Sequence, residues 1–246
     1  MLTPRRMALG GLWLALGCAS SPRPAASPET RSEAPRPAPP QAAVDAGTRC
    51  PNGGGMTIEG QLGTIAQGNV REVIAQAGEA FQACYTRRLE VIPVLSGAIE
   101  LRLRVGVDGR VRYALPVQSG LGDGETEACM LGVARALVFE APCGGEAEVT
   151  HRAEYDPGPD VRAATPLAAT RFDAALRTHR RALAACAGAS GLDVQAYIAP
   201  DGRVMAGAGA SSEAQLTARS CALGVVTGWR MPPPGSWWAR SRLTLP

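Results

Sequence analysis

The sequence predicts an α+β protein made of two tandem lobes, each with the order helix, β-hairpin, helix and strand. Three observations lead to this prediction. An Asp-Gly-Arg-Val segment occurs at residues 108–111 and again at 201–204. A Cys-x-x-Gly-Val segment follows each one, at residues 129–133 and 221–225. Apolar residues switch between periods of two and about 3.6 at matching places in both copies, which indicates duplicated supersecondary units.

Composition excludes several classes of function. All 25 basic residues are arginine; the first 17 residues hold two of them (Arg5, Arg6) and no acid, so 23 remain against 22 acidic residues. This balance offers little attraction to nucleic acid, which we do not expect as a partner. Metal-site spacings, phosphate loops and hydrolase motifs are missing, so we predict no cofactor, no metal and no catalytic residue.

The N-terminus has the layout of a lipoprotein signal peptide over residues 1–17. A short basic segment precedes an apolar stretch that is too short to span a bilayer, and Cys18 follows Ala15-Leu16-Gly17. A small residue directly before cysteine resembles a bacterial lipobox, so we expect Cys18 to be acylated and to hold the chain at a membrane. Ala19 favours the outer membrane of a Gram-negative cell. The alternative is plain cleavage and secretion.

Residues 18–49 are rich in proline, alanine, serine and arginine, so they are predicted to form a lipid-anchored, disordered linker. Such a segment reaches at most roughly 90 Å at about 3.1 Å per residue. The first lobe is placed at residues 50–157, a second linker at 158–166, and a degenerate second lobe at 167–246.

In the first lobe, the sequence predicts a short strand within Met56–Ile65. One helix is then predicted, with an apolar face that includes Cys84. A hairpin follows, and a three-residue loop, Val107-Asp108-Gly109 with Gly109 left-handed, keeps its apolar residues on one face. This register pairs Val105 with Val111 and Leu103 with Tyr113. The expected apolar face comprises Ile99, Leu101, Leu103, Val105, Val111, Tyr113, Leu115 and Val117.

The opposite face of this hairpin is rich in arginine. It is the candidate binding face, formed by Arg102, Arg104, Arg110 and Arg112. Arg104 is expected to face Arg112, and like charges directly opposite each other are unfavourable. Two explanations stay open: a third strand over Gly145–Tyr155 brings glutamates beside the arginines, or an anion or a protein partner lies over them.

Six cysteines remain after Cys18, an even number that indicates three disulfides in an exported chain. A helix capped by Asp123 or Thr126 is predicted to turn Cys129, Val133 and Leu137 inward. Because both helices of the lobe cover one sheet face, Cys84 is expected to pair with Cys129. The repeat predicts Cys186–Cys221 in the second lobe, and Cys50–Cys143 follows by elimination. The two histidines, His151 and His179, are expected on inward faces as structural residues.

Several short motifs of the first copy occur in a characteristic order. They are Cys84-Tyr85, Pro93-x-x-Ser96-Gly97, Asp108-Gly109-Arg110-Val111, Ser119-x-x-Gly122-Asp123, Cys129, Phe139-x-x-Pro142 and Gly144-Gly145. Together they resemble the AgmX/PglI C-terminal domain family, which is similar in plan to the TonB C-terminal domain and occurs in myxobacterial envelope and gliding-motility proteins. The resemblance implies a non-catalytic module that meets partners in the periplasm, often through an exposed strand edge.

The function predicted from the sequence is therefore that of a non-enzymatic envelope lipoprotein. Its modules are expected to bind another envelope protein or peptidoglycan, with a link to gliding motility suggested by the resemblance. One alternative is a purely structural spacer between envelope layers. The least favoured alternative is a hydrolase, for which a deep pocket holding His151 beside a carboxylate would be the sign.

Overall fold

Two β-sheets with matching connectivity organise the part of the chain that the structure describes, residues 62–246. This computed structural model is of mixed α+β class and has five α-helices within that range. The predicted signal peptide, Cys18, the linker over residues 18–49 and Cys50 lie outside the described residues, as does most of the strand predicted near residue 60. Thr64 forms an isolated antiparallel bridge with Cys143.

The first lobe, residues 62–157, has the predicted order of elements, except that two helices take the place of the first helix. The elements are α1 (Gln67–Gln76), α2 (Gly78–Leu89), β1 (Gly97–Val105), β2 (Val111–Ser119), α3 (Gly124–Arg135) and β3 (Ala147–Tyr155). The strands form one antiparallel sheet in the order β2-β1-β3. Alternate residues of β1 are buried against α2 and α3, as its period of two predicts.

The second lobe, residues 167–246, repeats this connectivity. It contains α4 (Asp173–Ala184), β5 (Asp193–Ile198), β6 (Val204–Ala208), α5 (Glu213–Thr227) and β7 (Ala239–Thr244), with a 3₁₀ turn at Ala169–Phe172 before α4. A two-residue strand, β4 (Thr165–Pro166), joins the sheet from the end of the predicted linker. The sheet order is β4-β7-β5-β6.

The three-residue hairpin loop is confirmed. Gly106 N–H donates to Arg110 O, and Gly109 N–H donates back to Gly106 O, with Gly109 at a φ of 78°. The second lobe closes its loop in the same way, since Ala199 pairs with Arg203. The segments that follow α3 and α5 then dock on these loops, because Phe139 N–H donates to Gly109 O and Met231 N–H donates to Gly202 O.

The register beyond the loop differs from the prediction. Val105 pairs with Val111 as expected, but a bulge between Arg104 and Val105 places Tyr113 opposite Arg104. Leu103 therefore pairs with Ala114, and the expected contact between Arg104 and Arg112 is wrong. A bulge adds one residue to one strand and reverses the faces that follow. A buried run at residues 114–116 replaces the predicted alternation.

The helices also differ in detail. The single helix predicted around residues 70–84 is two helices, because the α-helix breaks at Ala77, directly before the poor helix former Gly78. Asp123 caps α3 by accepting a hydrogen bond from Thr126 N–H. The buried residues of α3 are Thr126, Glu127, Met130, Leu131 and Ala134. Cys129, Val133 and Leu137 lie on the flank of that face, where they are half-buried.

Each lobe has one disulfide between its helical segments. Cys84 on α2 is bonded to Cys129 on α3, and Cys186 after α4 is bonded to Cys221 on α5. Both pairs agree with the sequence prediction. Cys143 is also disulfide-bonded, but Cys50, its predicted partner, is not among the described residues.

The second lobe packs on the first through the outer face of its sheet. Tyr197 and Trp238, which point away from α4 and α5, belong to the hydrophobic core of the first lobe. The Tyr197 hydroxyl donates to Ser96 O and accepts from Ser96 N–H, both at 3.1 Å. Helix α3 contacts strands of both sheets, so the two lobes share one continuous packing arrangement.

A buried ion pair completes this contact. Glu127 on α3 is fully buried and pairs with Arg219 on α5, which is only 4% exposed. The Ser119 hydroxyl and Ala208 N–H also donate to the Glu127 carboxylate. Burial raises the pKa of Glu127, and the adjacent guanidinium of Arg219 opposes that shift. Buried charges of this kind persist only where partners satisfy them.

Candidate functional site

The direction of the backbone groups in β1 determines which strand edges are open. In an antiparallel sheet, successive residues of a strand direct their N–H and C=O groups to opposite neighbours. Gly106 N–H donates to Arg110 O, and Ala98 O accepts from Gly120 N–H, so the even-numbered residues of β1 face β2. The odd-numbered residues of β1 therefore face β3.

In β3, the even-numbered residues direct their backbone N–H and C=O groups away from β1. The odd-numbered residues of β1 pair with odd-numbered residues of β3, such as Leu101 with His151. Gly63 N–H reaches Glu146 O from outside the sheet at 2.8 Å, as this direction requires. Beyond it, no backbone partner within residues 62–246 meets the outward groups of β3. We call these groups the open edge; they belong to Glu148, Thr150, Arg152 and Glu154, whose side chains are all exposed.

The other edge strand of the first lobe is covered. Ala114 and Leu115 of β2 are buried, and Pro116 has no N–H to offer. The carbonyl of Pro116 accepts a hydrogen bond from Ala210 N–H at 2.7 Å. The second lobe therefore covers the middle of β2.

The edges of the second sheet are covered or short. In β6, Ala208 N–H donates to Glu127, and Ala208 O accepts from Arg219 Nε at 2.6 Å. The opposite edge strand, β4, has two residues, one of which is Pro166. In the described part of the chain, β3 thus presents the longest open edge.

A charged face lies beside the open edge, on the side of the sheet that points away from the helices. Arg104 Nε donates to Glu146 Oε2 at 2.8 Å, and this bond raises the pKa of Arg104. Arg102 Nε lies 3.4 Å from Glu148 Oε1, within ion-pair range but without hydrogen-bond geometry. Glu100 pairs with Arg152 at 4.0 Å. The third strand therefore does bring glutamates beside the arginines.

The four predicted arginines do not form one cluster. Arg102 and Arg104 lie on the charged face. Arg112 lies beside the hairpin loop and pairs with Asp108 at 3.2 Å. Arg110 is exposed at the base of the loop, where its backbone bridges to Val138, and it forms no ion pair within residues 62–246.

Two clefts lie where the lobes meet. The first, of about 580 Å³, is polar and is lined by two ion pairs, Glu100–Arg152 and Asp193–Arg242. The second, of about 480 Å³, includes Arg88, Asp123 and Arg219 in its lining. Neither histidine lines either cleft. In the described residues no three side chains of metal-ligating type form a cluster.

Both histidines pack against aromatic rings. His151, on the inward face of β3, lies 5.6 Å from the ring of Phe81, and burial lowers its pKa. His179 on α4 stacks on Trp229 with ring centres 5.7 Å apart. These contacts explain both residues as parts of the packing.

This chain has no match among known proteins. No family model, no curated protein sequence and no solved structure matches this chain. The expected relation to the AgmX/PglI family therefore depends on the motif residues alone. Within residues 62–246, none of the helices combines the length and the apolar character needed to cross a bilayer.

The motif residues of the first copy have structural contacts. Tyr85 OH donates to Leu95 O at 2.8 Å, and burial raises the pKa of Tyr85 to about 12. Asp123, besides capping α3, accepts two hydrogen bonds from Arg88. Ser96 meets Tyr197 of the second lobe. Ser96, one of the residues that carry the resemblance, thus contacts the second lobe, a role that no local pattern predicted.

Proposed function

We propose that this chain is a non-enzymatic envelope lipoprotein whose first lobe binds an extended segment of another envelope protein by strand addition. The open edge of β3 is the single observation that carries this proposal. The acylated Cys18 and the linker would hold the lobe near the outer membrane and let it search for its partner. A link to gliding motility follows only from the resemblance to the AgmX/PglI family.

Strand addition uses the backbone groups that the sheet itself leaves unpaired. A row of outward N–H and C=O groups is a template for another strand, and main-chain hydrogen bonds then supply affinity while side chains supply specificity. The open edge offers this row over residues 148–154, with exposed charges on one side. On the other side, His151 and Ala153 are only half-buried and can contact the side chains of an added strand.

The charged face is a weaker candidate for the main contact. Arg102, Arg104 and Arg112 each have a carboxylate within 3.4 Å. An anionic partner would compete with these carboxylates, and exposed ion pairs contribute little binding energy. The arginines are therefore assigned to the rim of the interface. Peptidoglycan remains the alternative ligand, since its peptides can also extend along an edge.

Thr150→Pro tests the proposal because it removes one outward N–H from the open edge. This N–H makes no hydrogen bond within the described residues, and proline is tolerated at edges where the N–H faces solvent. We expect the variant to retain its melting temperature within a few degrees but to lose capture of envelope proteins in crosslinking and affinity experiments.

Thr150→Val is the matched control, because it changes the side chain and retains the N–H. It should capture partners as the unmodified chain does. If Thr150→Pro captured the same envelope proteins with unchanged yield, strand addition at β3 would be excluded. Isolated peptidoglycan, offered in parallel, tests the alternative ligand.

The second candidate is a structural spacer, and the packing of the two lobes favours it. The lobes share a core and a buried ion pair, as a stiff spacer requires. Cells that carry Thr150→Pro separate the two functions, because a spacer would be indifferent to this substitution whereas a binding module would behave like the deletion strain.

A further inference from the structure

The open edge carries a charge pattern that is complementary to itself. Its central residues read Glu148-Val149-Thr150-His151-Arg152, so an acid and a base lie two positions on either side of Thr150. If two such edges run antiparallel about a two-fold axis at Thr150, Glu148 of each copy lies opposite Arg152 of the other. Opposite charges and paired threonines are both favourable across neighbouring strands.

We propose that two copies of this chain pair through β3, forming a continuous six-stranded sheet with the two-fold axis at Thr150. The inference rests on the proposed function, since it assigns an occupant to the same edge. Thr150 would face its counterpart, and Glu148 would face Arg152 twice. All of these residues direct backbone groups outward, so each opposed pair exchanges two backbone hydrogen bonds.

Other registers are disfavoured by charge or by the chain itself. An axis at Arg152 would oppose two arginines, and an axis at Glu148 would oppose two glutamates. Moving the axis to His151 would place Glu148 opposite Glu154. Moving it to Val149 would pair Arg152 with Glu146, whose carbonyl already accepts Gly63 N–H, and would leave no free pair of opposite charges. The same obstacle ends the pairing beyond Arg152 in the proposed register.

The charged face continues across the proposed axis. Arg102 lies 3.4 Å from Glu148 within one copy, and Arg152 lies 4.0 Å from Glu100. Pairing would place Glu148 of one copy beside Arg152 of the other. The result is an alternating row of four charges, Arg102, Glu148, Arg152 and Glu100, of which the first two belong to one copy and the last two to the other.

The inward side of β3 leaves room for the second strand. Ile99 on β1 is 1% exposed, whereas His151 and Ala153 on β3 are only half-buried, so the helices cover the centre of the sheet better than this edge. Val149 of one copy would oppose His151 of the other, at the closer spacing of a pair without hydrogen bonds. The pair of copies and the partner segment would compete for the same edge.

Charge exchange tests the proposed pairing. We would use the full chain with Cys18→Ser, so that acyl chains do not drive association, and measure its mass in solution by sedimentation equilibrium. We expect a reversible dimer. Glu148→Arg alone or Arg152→Glu alone creates two like-charged pairs and should weaken association by roughly tenfold or more.

Two further samples make the test specific. An equimolar mixture of the Glu148→Arg and Arg152→Glu chains should form a heterodimer, because arginines of one chain then face glutamates of the other. The double variant Glu148→Arg/Arg152→Glu should recover the homodimer. A monomeric unmodified chain, or a mixture that stays monomeric, would overturn the inference.

The outcome is distinguishable from that of the proposed function. If the unmodified chain is monomeric and Thr150→Pro still abolishes partner capture, the pairing of copies is wrong and the binding edge stands. If the dimer forms as described and Thr150→Pro captures envelope proteins normally, the pairing stands and the proposed partner binding is wrong.

Discussion

Gly109 and Gly202 meet the same backbone requirement in the two lobes. Both have positive φ values, 78° and 82°. Phe139 N–H donates to Gly109 O, and Met231 N–H donates to Gly202 O. A Cβ at either glycine would overlap the carbonyl oxygen of that same docking residue. This contact explains why both Asp-Gly loops need a glycine at this position.

Gly109→Ala and Gly202→Ala should each lower the free energy of unfolding by at least about 1–2 kcal/mol, because the left-handed backbone disfavours a Cβ. The overlap with the carbonyl adds to this loss. Urea denaturation of the full chain measures it.

Gly132→Ala is the control for these two substitutions. Gly132 lies in α3, and a Cβ there would meet nothing within 4 Å. The change should leave stability unchanged or raise it by up to about 1 kcal/mol, as alanine favours a helix over glycine. Equal losses at Gly109 and Gly132 would show that the loop geometry is not the cause. Nothing in the structure explains why Gly132 is repeated as Gly224.

The disulfides act between elements, since each one links the chain at or just after the helix before the hairpin to the helix after the hairpin. The cysteines are 45 residues apart in the first lobe and 35 in the second. Closing loops of this length stabilises the fold by about 4 kcal/mol each in the chain-entropy model. Cys129 and Cys221 lie on the flank of their helices rather than at the centre of the buried face.

Replacing Cys84 and Cys129 together by alanine should lower the free energy of unfolding by roughly 2–4 kcal/mol. The same double replacement at Cys186 and Cys221 should cost a similar amount. Denaturation of each variant without reductant measures the loss. A difference well below about 1 kcal/mol for both would mean that packing alone positions the helices.

The elements show how far the sequence could predict this fold. Local patterns were sufficient for the order of elements apart from the break between α1 and α2, for the hairpin loop and for the pairing of Cys84 with Cys129. They also named Asp123 as one of two candidate caps of α3. They were insufficient for the bulge beside Val105, because a bulge depends on how a strand fits its neighbours. They also misplaced the buried face of α3. That helix packs between two sheets, so its buried face is wider than the stripe expected from one contact.

The candidate site was predictable in part. The motif resemblance implied an exposed strand edge, and the alternation of Gly145–Tyr155 indicated a third strand with glutamates beside Arg102 and Arg104. The choice of β3 over the other edges depends on how the second lobe docks. No local signal in either copy shows that contact, which brings together residues such as Glu127 and Arg219 that are 92 positions apart.

The Glu127–Arg219 pair should be essential to the docking of the lobes. Glu127→Ala or Arg219→Ala leaves one buried charge without its partner and should lower the free energy of unfolding by about 3–5 kcal/mol. The double replacement should cost less than the sum of the two, because no unpaired charge then remains. Thermal and urea unfolding of the four chains measure this coupling.

An exposed ion pair is the control for the buried Glu127–Arg219 pair. Arg242 pairs with Asp193, and both side chains are at least half exposed. Arg242→Ala should therefore cost less than about 1 kcal/mol. If Glu127→Ala were as mild as Arg242→Ala, the buried pair would not hold the lobes together.

The covering of β2 and β6 by the docked lobes has a consequence for assembly. A protein with two open strand edges can add further copies indefinitely, and the product is a fibre. The described part of this chain has one long open strand edge, so growth through backbone pairing ends once a second copy has been added. The duplicated lobe thereby limits polymerisation.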